Sequence, residues 1–368
     1  MDPAALAGRL EAIEGRLAGT DAERRAAALC AAELRASGRR PRTKTIWMRP
    51  ERQAPRAAYS ALGIAGSLVA VGNPTVGLAL AGSALLAVLL EAAGVPVLAL
   101  LQTRRATQNV VAPPSAELGH RALLILCASA DVARDSLLRR IDRRLSSRLV
   151  PGAPGLLAVG LAGASVCAGA RLAGAEGTAI GIAALVPVAL LILLLAGFLD
   201  ATLSGPGRPA GAAGPAAVLA VAAALDARPP RALAIEIVIV GAGEADAPGM
   251  AAYVADRRRE LDPEDVVVIH LGSSGGSPRF VSHAGEHLPF RLHPRLAELA
   301  AALPGLGRTV ARSRSAARVA RGARWPAITL EGEPRALAAA TLRLVSAVDA
   351  EIMQTRRTAA GARLALRR

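Results

Sequence analysis

Glu244 is the residue whose setting in the sequence points most clearly to chemistry. It lies within residues 231–249, RALAIEIVIVGAGEADAPG, where an apolar, β-branched run stops at a turn of small residues that holds this glutamate. Such a run predicts a buried strand, and open α/β sheets place their chemistry beyond the carboxyl ends of their strands. We therefore expect Glu244 to lie at the functional edge of a sheet.

The same turn allows a second interpretation, as the phosphate-binding loop of a dinucleotide-binding fold. Gly241 and Gly243 supply the first two glycines of G-x-G-x-x-G, but Asp246 replaces the third. The motif also requires an acidic residue at the end of a second strand about 20 positions further on, and the sequence has none there. The dinucleotide hypothesis is therefore the weaker of the two.

Two further stretches contain residues that could bind a ligand. Residues 283–287, HAGEH, superficially resemble a His-x-x-Glu-His zinc motif, but that motif works only on a helix, and Gly285 favours a loop. Residues 272–277, GSSGGS, could hold a phosphate or a carboxylate with their backbone amides, although a flexible turn explains them equally well.

The elements that would position these residues alternate between strand and helix. This alternation predicts an α/β fold with a mostly parallel sheet and helices on both faces. The predicted strands are 44–48, 108–112, 122–127, 232–240, 266–271, 279–281 and 327–330. The predicted helices are two within 1–37, followed by 216–225, 247–260, 294–302 and 335–353.

Two apolar blocks interrupt this pattern and predict membrane hairpins. The chain has 368 residues, 52% of them hydrophobic, and a mean hydropathy of +0.37, more than a soluble domain usually carries. Residues 57–101 contain one formal charge, Glu91, and a turn at 72–75 divides them. Residues 149–199 carry charges only in the loop 169–177. The sequence thus predicts four transmembrane helices in two hairpins.

The hairpins divide the predicted soluble domain into three pieces, 1–56, 102–148 and 200–368. The spans of the second hairpin, 149–170 and 178–199, have ordinary lengths. The first arm of the first hairpin, 57–71, is short for a bilayer that requires about 20 residues. It could span with part of the turn or lie shallowly, and a buried soluble hairpin is the alternative.

The distribution of arginines predicts the orientation of the hairpins and a lipid partner. With 44 Lys+Arg against 29 Asp+Glu the net charge is +15, and arginines flank the outer ends of both hairpins, whereas the loops between spans hold only Arg171. By the positive-inside rule, both termini and the soluble domain lie in the cytoplasm, and the chain is a multi-pass protein of the cell membrane. The segment before the second hairpin is expected to bind anionic headgroups rather than nucleic acid, for which the 2% aromatic content supplies too few stacking residues. Its arginines are Arg139, Arg140, Arg143, Arg144 and Arg148.

Five short segments follow one another in a distinctive order. They are Asn109-Val110-Val111-Ala112, Ser129-Ala130-Asp131, the small residues 209–214, Gly243-Glu244, and His270-Leu271-Gly272. This order resembles that of the co-catalytic two-zinc aminopeptidases, a family that also contains glutamate carboxypeptidases and the catalytically silent transferrin receptors. The resemblance covers nearly the whole chain outside the hairpins and implies the same α/β fold.

The resemblance also implies a two-zinc site from which most ligands have been lost. Glu244 matches one ligand position, and Asp131 matches a position behind the ligands. In the family, carboxylate and imidazole ligands hold both ions and a free glutamate takes the proton from the bridging water. Residues 331–335 lack the final histidine, and the other degenerate positions are Ser129, Ala210, Gly243 and Gly272.

Three functional hypotheses follow from the sequence. The first is a membrane-anchored aminopeptidase-like protein that has lost catalysis, needs no cofactor, and uses the fold to bind a peptide or protein partner or as a scaffold. The second is an active membrane-bound hydrolase with a zinc site rebuilt around Asp131, Glu244, His270 and His283. The third is a basic platform for anionic lipid. Because an unpaired buried carboxylate is costly, Glu244 should either face solvent or pair with an arginine.

Overall fold

One mixed sheet organises the soluble part of the protein. The computed structural model describes residues 1–49, 52–95, 97–114, 122–144, 150–206, 210–311 and 315–365, without the side chains of 142, 143, 210 and 356–365. The sheet has nine strands in the order β1-β2-β4-β3-β5-β9-β6-β7, with β8 paired to β6. They are β1 Arg42–Met48, β2 Arg105–Ala112, β3 Ala122–Ser129, β4 Leu233–Val240, β5 Val266–Ser273, β6 Arg279–Ala284, β7 Phe290–Arg291, β8 Gly307–Ala311 and β9 Ala327–Gly332.

The centre of the sheet is parallel and its sides are antiparallel. Strands β4, β3, β5 and β9 run parallel to their neighbours in this group. Strand β2 is antiparallel to both β1 and β4, and β6 is antiparallel to β9. The predicted parallel sheet is therefore found at its centre, where the candidate site lies.

Helices cover both faces of the sheet, as the alternation of elements predicts. Helices α1, α2, α8, α10 and α12 share one core with the sheet, whereas α9 and α11 share the other. Every residue of β3 and β4 is buried, because successive side chains point to opposite faces and both faces are covered. The helices are α1 Pro3–Glu11, α2 Asp21–Ala36, α3 Gln53–Val69, α4 Pro74–Ala92, α5 Leu137–Arg144, α6 Ala153–Leu172, α7 Thr178–Leu203, α8 Ala213–Ala227, α9 Pro248–Arg257, α10 Pro294–Ala301, α11 Ala316–Gly322 and α12 Pro334–Ala365.

Helices α3, α4, α6 and α7 pack together in a bundle with its own apolar core. Three of them, α4, α6 and α7, are long and apolar enough to cross a membrane, and only 22 to 33% of the residues in their apolar windows are buried within the protein. So much exposed apolar surface favours lipid over water as the surroundings. Helix α3 has 17 residues and begins at Gln53, four residues before the predicted start of its span.

Some glycines of the bundle sit at close helix contacts and others do not. A Cβ atom at Gly160 would lie 3.0 Å from Leu191 Cδ2, and one at Gly163 would lie 3.1 Å from Pro187 Cβ. Other glycines of the bundle have no atom within 4 Å of such a Cβ and so do not mark a close helix contact. These are Gly82, Gly177 and Gly181.

Both parts of the bundle join the soluble domain at the edge where the central strands end. Helix α3 follows β1 and α4 precedes β2, and the antiparallel pairing of β2 with β4 places the start of β2 beside the end of β4. Helix α5 and then α6 follow the carboxyl end of β3, and α8 begins where Gly214 N donates to Ser273 Oγ at the end of β5. The bundle and the candidate site therefore share one edge of the sheet.

Candidate functional site

The loop after β4, residues 241–249, is held by buried side chains from two other elements. Asn109 of β2 accepts from Gly241 N at 2.9 Å and donates to Gly249 O at 2.8 Å. Glu23 of α2 accepts from Ala242 N at 2.6 Å, and its carboxylate also accepts from Thr107 Oγ1 at 2.8 Å and Gly19 N at 2.6 Å. The conformation of the loop is therefore fixed by hydrogen bonds to the side chains of Asn109 and Glu23, which lie elsewhere in the chain.

This fixed loop adopts a strained backbone. Ala242, Asp246 and Ala247 have φ angles of 52°, 65° and 53°, in the left-handed region that side chains disfavour. Such residues persist when the surroundings determine them, and they gather at functional sites. The Glu23 carboxylate already accepts a hydrogen bond from the Ala242 amide. That amide is therefore not free to bind a phosphate, which argues against the dinucleotide hypothesis.

Asp131, just beyond the end of β3, supports Glu244. Both carboxylate oxygens of Asp131 accept from Glu244 N at 3.1 Å. Asp131 is buried, and this burial, together with the nearby charges of Glu23 and Glu244, raises its pKa well above the ordinary range. Asp131, which by resemblance matches a position behind the metal ligands, therefore positions the Glu244 backbone.

The Glu244 side chain pairs with an arginine, as the sequence argument predicts. Arg139 Nη1 and Nη2 both donate to Glu244 Oε2 at 3.2 Å. Arg139 belongs to α5, which the sequence assigned to a lipid-binding flank, so this arginine serves the site instead. In the same flank Arg140 pairs with Asp135 at 2.9 Å, whereas Arg148 lies outside the described residues.

Glu331 is a site residue that the sequence argument missed. It lies near the end of β9, and burial and the charge of Glu244 raise its pKa, while Arg139 and Arg279 act in the opposite direction. The sequence argument uses residues 331–335 only for their missing histidine. The signal that could have identified Glu331 is its place directly after the predicted strand 327–330.

His270 lies at the same edge, with one ring nitrogen unused. Its Nδ1 is 3.3 Å from Thr329 Oγ1, whereas its Nε2 is buried and, among the residues the structure describes, has no hydrogen-bond partner. Burial lowers the pKa of His270 to about 4, against the opposing effect of Glu244. His270 is therefore a neutral imidazole at physiological pH.

Ser129 and Gly243, two of the degenerate positions, lie against each other. A Cβ atom at Gly243 would collide with Ser129 Oγ, so this backbone has no room for a side chain where the family has its catalytic base. A Cβ at Gly272 would lie 3.1 Å from Glu331 Cγ. Ala210 falls in a 3-10 turn, and its side chain is not described.

His283 does not join this group, contrary to the rebuilt-site hypothesis. It lies in β6, where its Nδ1 is 3.0 Å from Ser282 Oγ, and the charges that act on it come from Arg308 and Arg291. Within the described ranges no hydrogen bond or ion pair joins His283 to Asp131, Glu244 or His270. The segment 283–287 is strand and turn rather than helix, so the His-x-x-Glu-His geometry does not form.

The donor set does not fit two zinc ions. The oxygens of Asp131 hold a backbone amide, Glu244 is paired with Arg139, and Gly243 leaves no room for a base. Across the part of the chain that the structure describes, no group of three or more His, Cys, Asp or Glu side chains is arranged to hold a metal. A closed zinc site requires about four such ligands.

Ion pairs tie this edge of the sheet to the bundle. Arg52, which precedes α3, contacts Asp246 of the strained loop at 3.1 Å, and Arg56 of α3 contacts Glu286 at 2.7 Å. A small pocket between them is lined by residues of α3, α4, α6 and the loop after β6. The loop that carries Glu244 is thus held on one side by the soluble domain and on the other by the bundle.

Solved structures that are similar to this chain include zinc enzymes. The chain is similar to a Zn-dependent exopeptidase from Parabacteroides distasonis, with 10% identity, a TM-score of 0.50, and coverage of 94% of this chain and 96% of that chain. It is also similar to a zinc aminopeptidase from Bacillus subtilis (13% identity, TM-score 0.46, 94% and 92% covered) and to a glutaminyl cyclase from Porphyromonas gingivalis (11%, 0.46, 96% and 97%).

The first of these similarities shows the fold of the chain. The aminopeptidase-like α/β fold that the order of motifs predicts is therefore confirmed. No protein-family model and no curated protein sequence matches the chain. At 10% identity the fold is shared, and activity must be argued from the site itself.

Proposed function

We propose that this chain is a membrane-anchored protein with an aminopeptidase-like fold that has lost metal-dependent catalysis and uses the fold for binding or as a scaffold. The observation that carries the proposal is the Arg139–Glu244 pair. A guanidinium now neutralises the one carboxylate that matches a ligand position, and a cationic side chain in that place disfavours a metal ion by charge repulsion.

Membrane anchoring is the second part of the proposal. In it, α3 and α4 form one transmembrane hairpin and α6 and α7 form the other. The exposed apolar surfaces of α4, α6 and α7 support this. From the rise of an α-helix, α3 is about 25 Å long and α7 about 39 Å, against about 30 Å for the hydrocarbon core. Helix α3 therefore spans only if the bilayer thins or its flanking residues reach the interface.

An active hydrolase remains the alternative, and one observation favours it. The unused Nε2 of His270 is a buried ligand atom beside Glu244. Its neutral form at physiological pH is the one that binds metals. This alternative requires Arg139 to leave Glu244 and further ligands to come from elsewhere, because His283 is not within reach of the group.

A cleavage assay tests the proposal. The full chain, purified in detergent without chelators, is incubated with aminoacyl-nitroanilides, with and without added zinc and with a chelator. We expect no release of nitroaniline above that of the Glu244→Ala variant under any condition. Release that requires zinc, is stopped by chelator and disappears in Glu244→Ala would overturn the loss of catalysis.

A further inference from the structure

Large apolar side chains are exposed on the soluble domain chiefly at one place. Outside helices α3, α4, α6 and α7 and the turns that join α3 to α4 and α6 to α7, nine are exposed among the described residues: Met1, Trp47, Val95 and six that lie on three segments. The segments are the 3-10 turn Leu98–Leu101, helix α5 and the segment 285–291, which ends in β7, and together they are called the collar. Its exposed apolar residues are Leu100, Leu101, Leu137, Ile141, Leu288 and Phe290.

The first two collar segments are fixed to the bundle by hydrogen bonds. Leu98 N, in the 3-10 turn, donates to Tyr59 Oη of α3 at 3.1 Å. At the start of α5, Leu137 N donates to Asp200 Oδ2 near the end of α7 at 2.6 Å. Each segment therefore lies against the end of a bundle helix.

The third segment reaches the same end of the bundle. The carbonyl oxygen of His287 is so close to α6 that a Cβ atom at Gly155 would collide with it. The neighbouring Glu286 forms the ion pair with Arg56 of α3. The collar thus surrounds the junction at which all four bundle helices join the soluble domain.

Helix α5 has the pattern of a helix that lies at a membrane surface. Leu137 and Ile141 are one turn apart on one side, with exposed fractions of 54% and 43%. Arg144 is exposed beside them, while Arg139 points to Glu244. Exposed apolar residues combined with basic ones favour the boundary between anionic headgroups and acyl chains.

We propose that the collar docks on the surface of an anionic phospholipid bilayer, with its apolar side chains inserted between the headgroups. This inference rests on the proposed membrane anchoring, because it extends the lipid-facing surface of the bundle onto the soluble domain. Arg104 and Arg144 are exposed within or beside the collar and match a negative headgroup layer in charge. Because α5 contacts both Glu244 and this surface, the candidate site opens next to the membrane.

Site-directed fluorescence in vesicles tests the docking. The full chain is reconstituted in vesicles of phosphatidylcholine and phosphatidylglycerol, with single cysteines at Leu101, Leu137 or Phe290 carrying a polarity-sensitive label. Cys167 is replaced by alanine, whereas Cys30 and Cys127 are buried and remain. Quenching by a nitroxide lipid is compared with that at Val186→Cys in α7 and at Glu264→Cys, on the opposite edge of the sheet.

Docking predicts nitroxide quenching at the collar positions close to that at Val186 and several-fold above that at Glu264. Quenching at the collar no stronger than at Glu264, with strong quenching at Val186, would overturn the docking and leave the membrane anchoring intact. Weak quenching at all positions, Val186 included, would instead contradict both the anchoring and the docking.

Discussion

Asp131 is a buried carboxyl group whose oxygens make hydrogen bonds that hold the site loop, although its charged form is unfavourable in these surroundings. Its oxygens hold the Glu244 amide, yet burial and two neighbouring carboxylates raise its pKa. Glu23 and Glu331 also have raised pKa values, with burial as the largest cause of each. The charge of Glu244 raises the pKa of both Asp131 and Glu331, and the charge of Glu23 also raises that of Asp131. The Arg139 guanidinium is the counter-charge that contacts Glu244.

Replacing Asp131 with asparagine should change how stability depends on pH. With a raised pKa, the folded state keeps a proton on Asp131 that the unfolded state releases, so the wild-type free energy of unfolding falls as pH rises above about 4. Asparagine does not ionise. The thermal midpoint of Asp131→Asn, relative to wild type, should therefore rise from about pH 5 to about pH 8.

Scanning fluorimetry in one detergent across that pH range measures the trend. Asp256→Asn is the matched control, because Asp256 is an exposed carboxylate that pairs with Lys44. A difference between Asp131→Asn and wild type that stays constant, or falls, as the pH rises would contradict the raised pKa of Asp131.

At the residue scale, the sequence predicted the position of Glu244 and the type of its partner. A buried strand followed by small residues located Glu244, and the cost of an unpaired carboxylate implied that it would either face solvent or pair with a neighbour, of which arginine was the expected type. Nothing in the sequence identified Arg139 among many arginines, because that contact depends on how α5 turns back toward β4. Glu23 was missed for the same reason, since it reaches the loop from more than 200 positions away along the chain.

Elements with strong periodicity could be predicted, and short ones could not. The central strands and long helices match their predicted positions closely, because burial imposes a clear pattern on them. Strand β8, GRTVA, is short and largely polar, and α11 has only seven residues. Helix α5 was assigned to a charged flank because its arginines hide the spacing of Leu137 and Ile141.

The bundle depends on glycines where helices α6 and α7 pack together, which is a property of helix pairs. Leucine at Gly160 or Gly163 would force side chains into Leu191 or Pro187, and overpacking of this kind costs about 1–3 kcal/mol. We therefore expect Gly160→Leu and Gly163→Leu to lower the thermal midpoint in detergent. Gly181→Leu is the control, because a Cβ there meets no atom within 4 Å. Equal midpoints for all three variants would show that α6 and α7 do not pack as described.

At the scale of the whole molecule, composition predicted the insertions but not their placement. Apolar blocks and arginine positions marked the hairpins in the sequence. That the first hairpin joins the same carboxyl edge of the sheet as the second follows from the antiparallel pairing of β2 with β4, which the sequence pattern does not reveal. The bundle and the candidate site therefore come together through the topology of the sheet, and with the proposed anchoring the site lies near the membrane surface.

The positive-inside rule predicts which loops an external reagent can reach. A cysteine at Arg144 should be protected from an impermeant maleimide in intact cells, whereas one at Ala175, in the loop between α6 and α7, should react. Both positions are exposed in the protein, so membrane sidedness alone should distinguish them once Cys167 is replaced by alanine. Reaction at Arg144→Cys in intact cells would reverse the proposed orientation.

The metal content of the purified chain tests the central claim most directly, because the claim is that Arg139 and the lost ligands leave no two-zinc site. The chain is purified without chelators from cells grown with zinc, and elemental analysis gives zinc per chain for wild type and Glu244→Ala. We predict far less than one zinc ion per chain in both proteins. One or two zinc ions per wild-type chain, removed by chelator and lost in Glu244→Ala, would contradict the account and establish a rebuilt metal site.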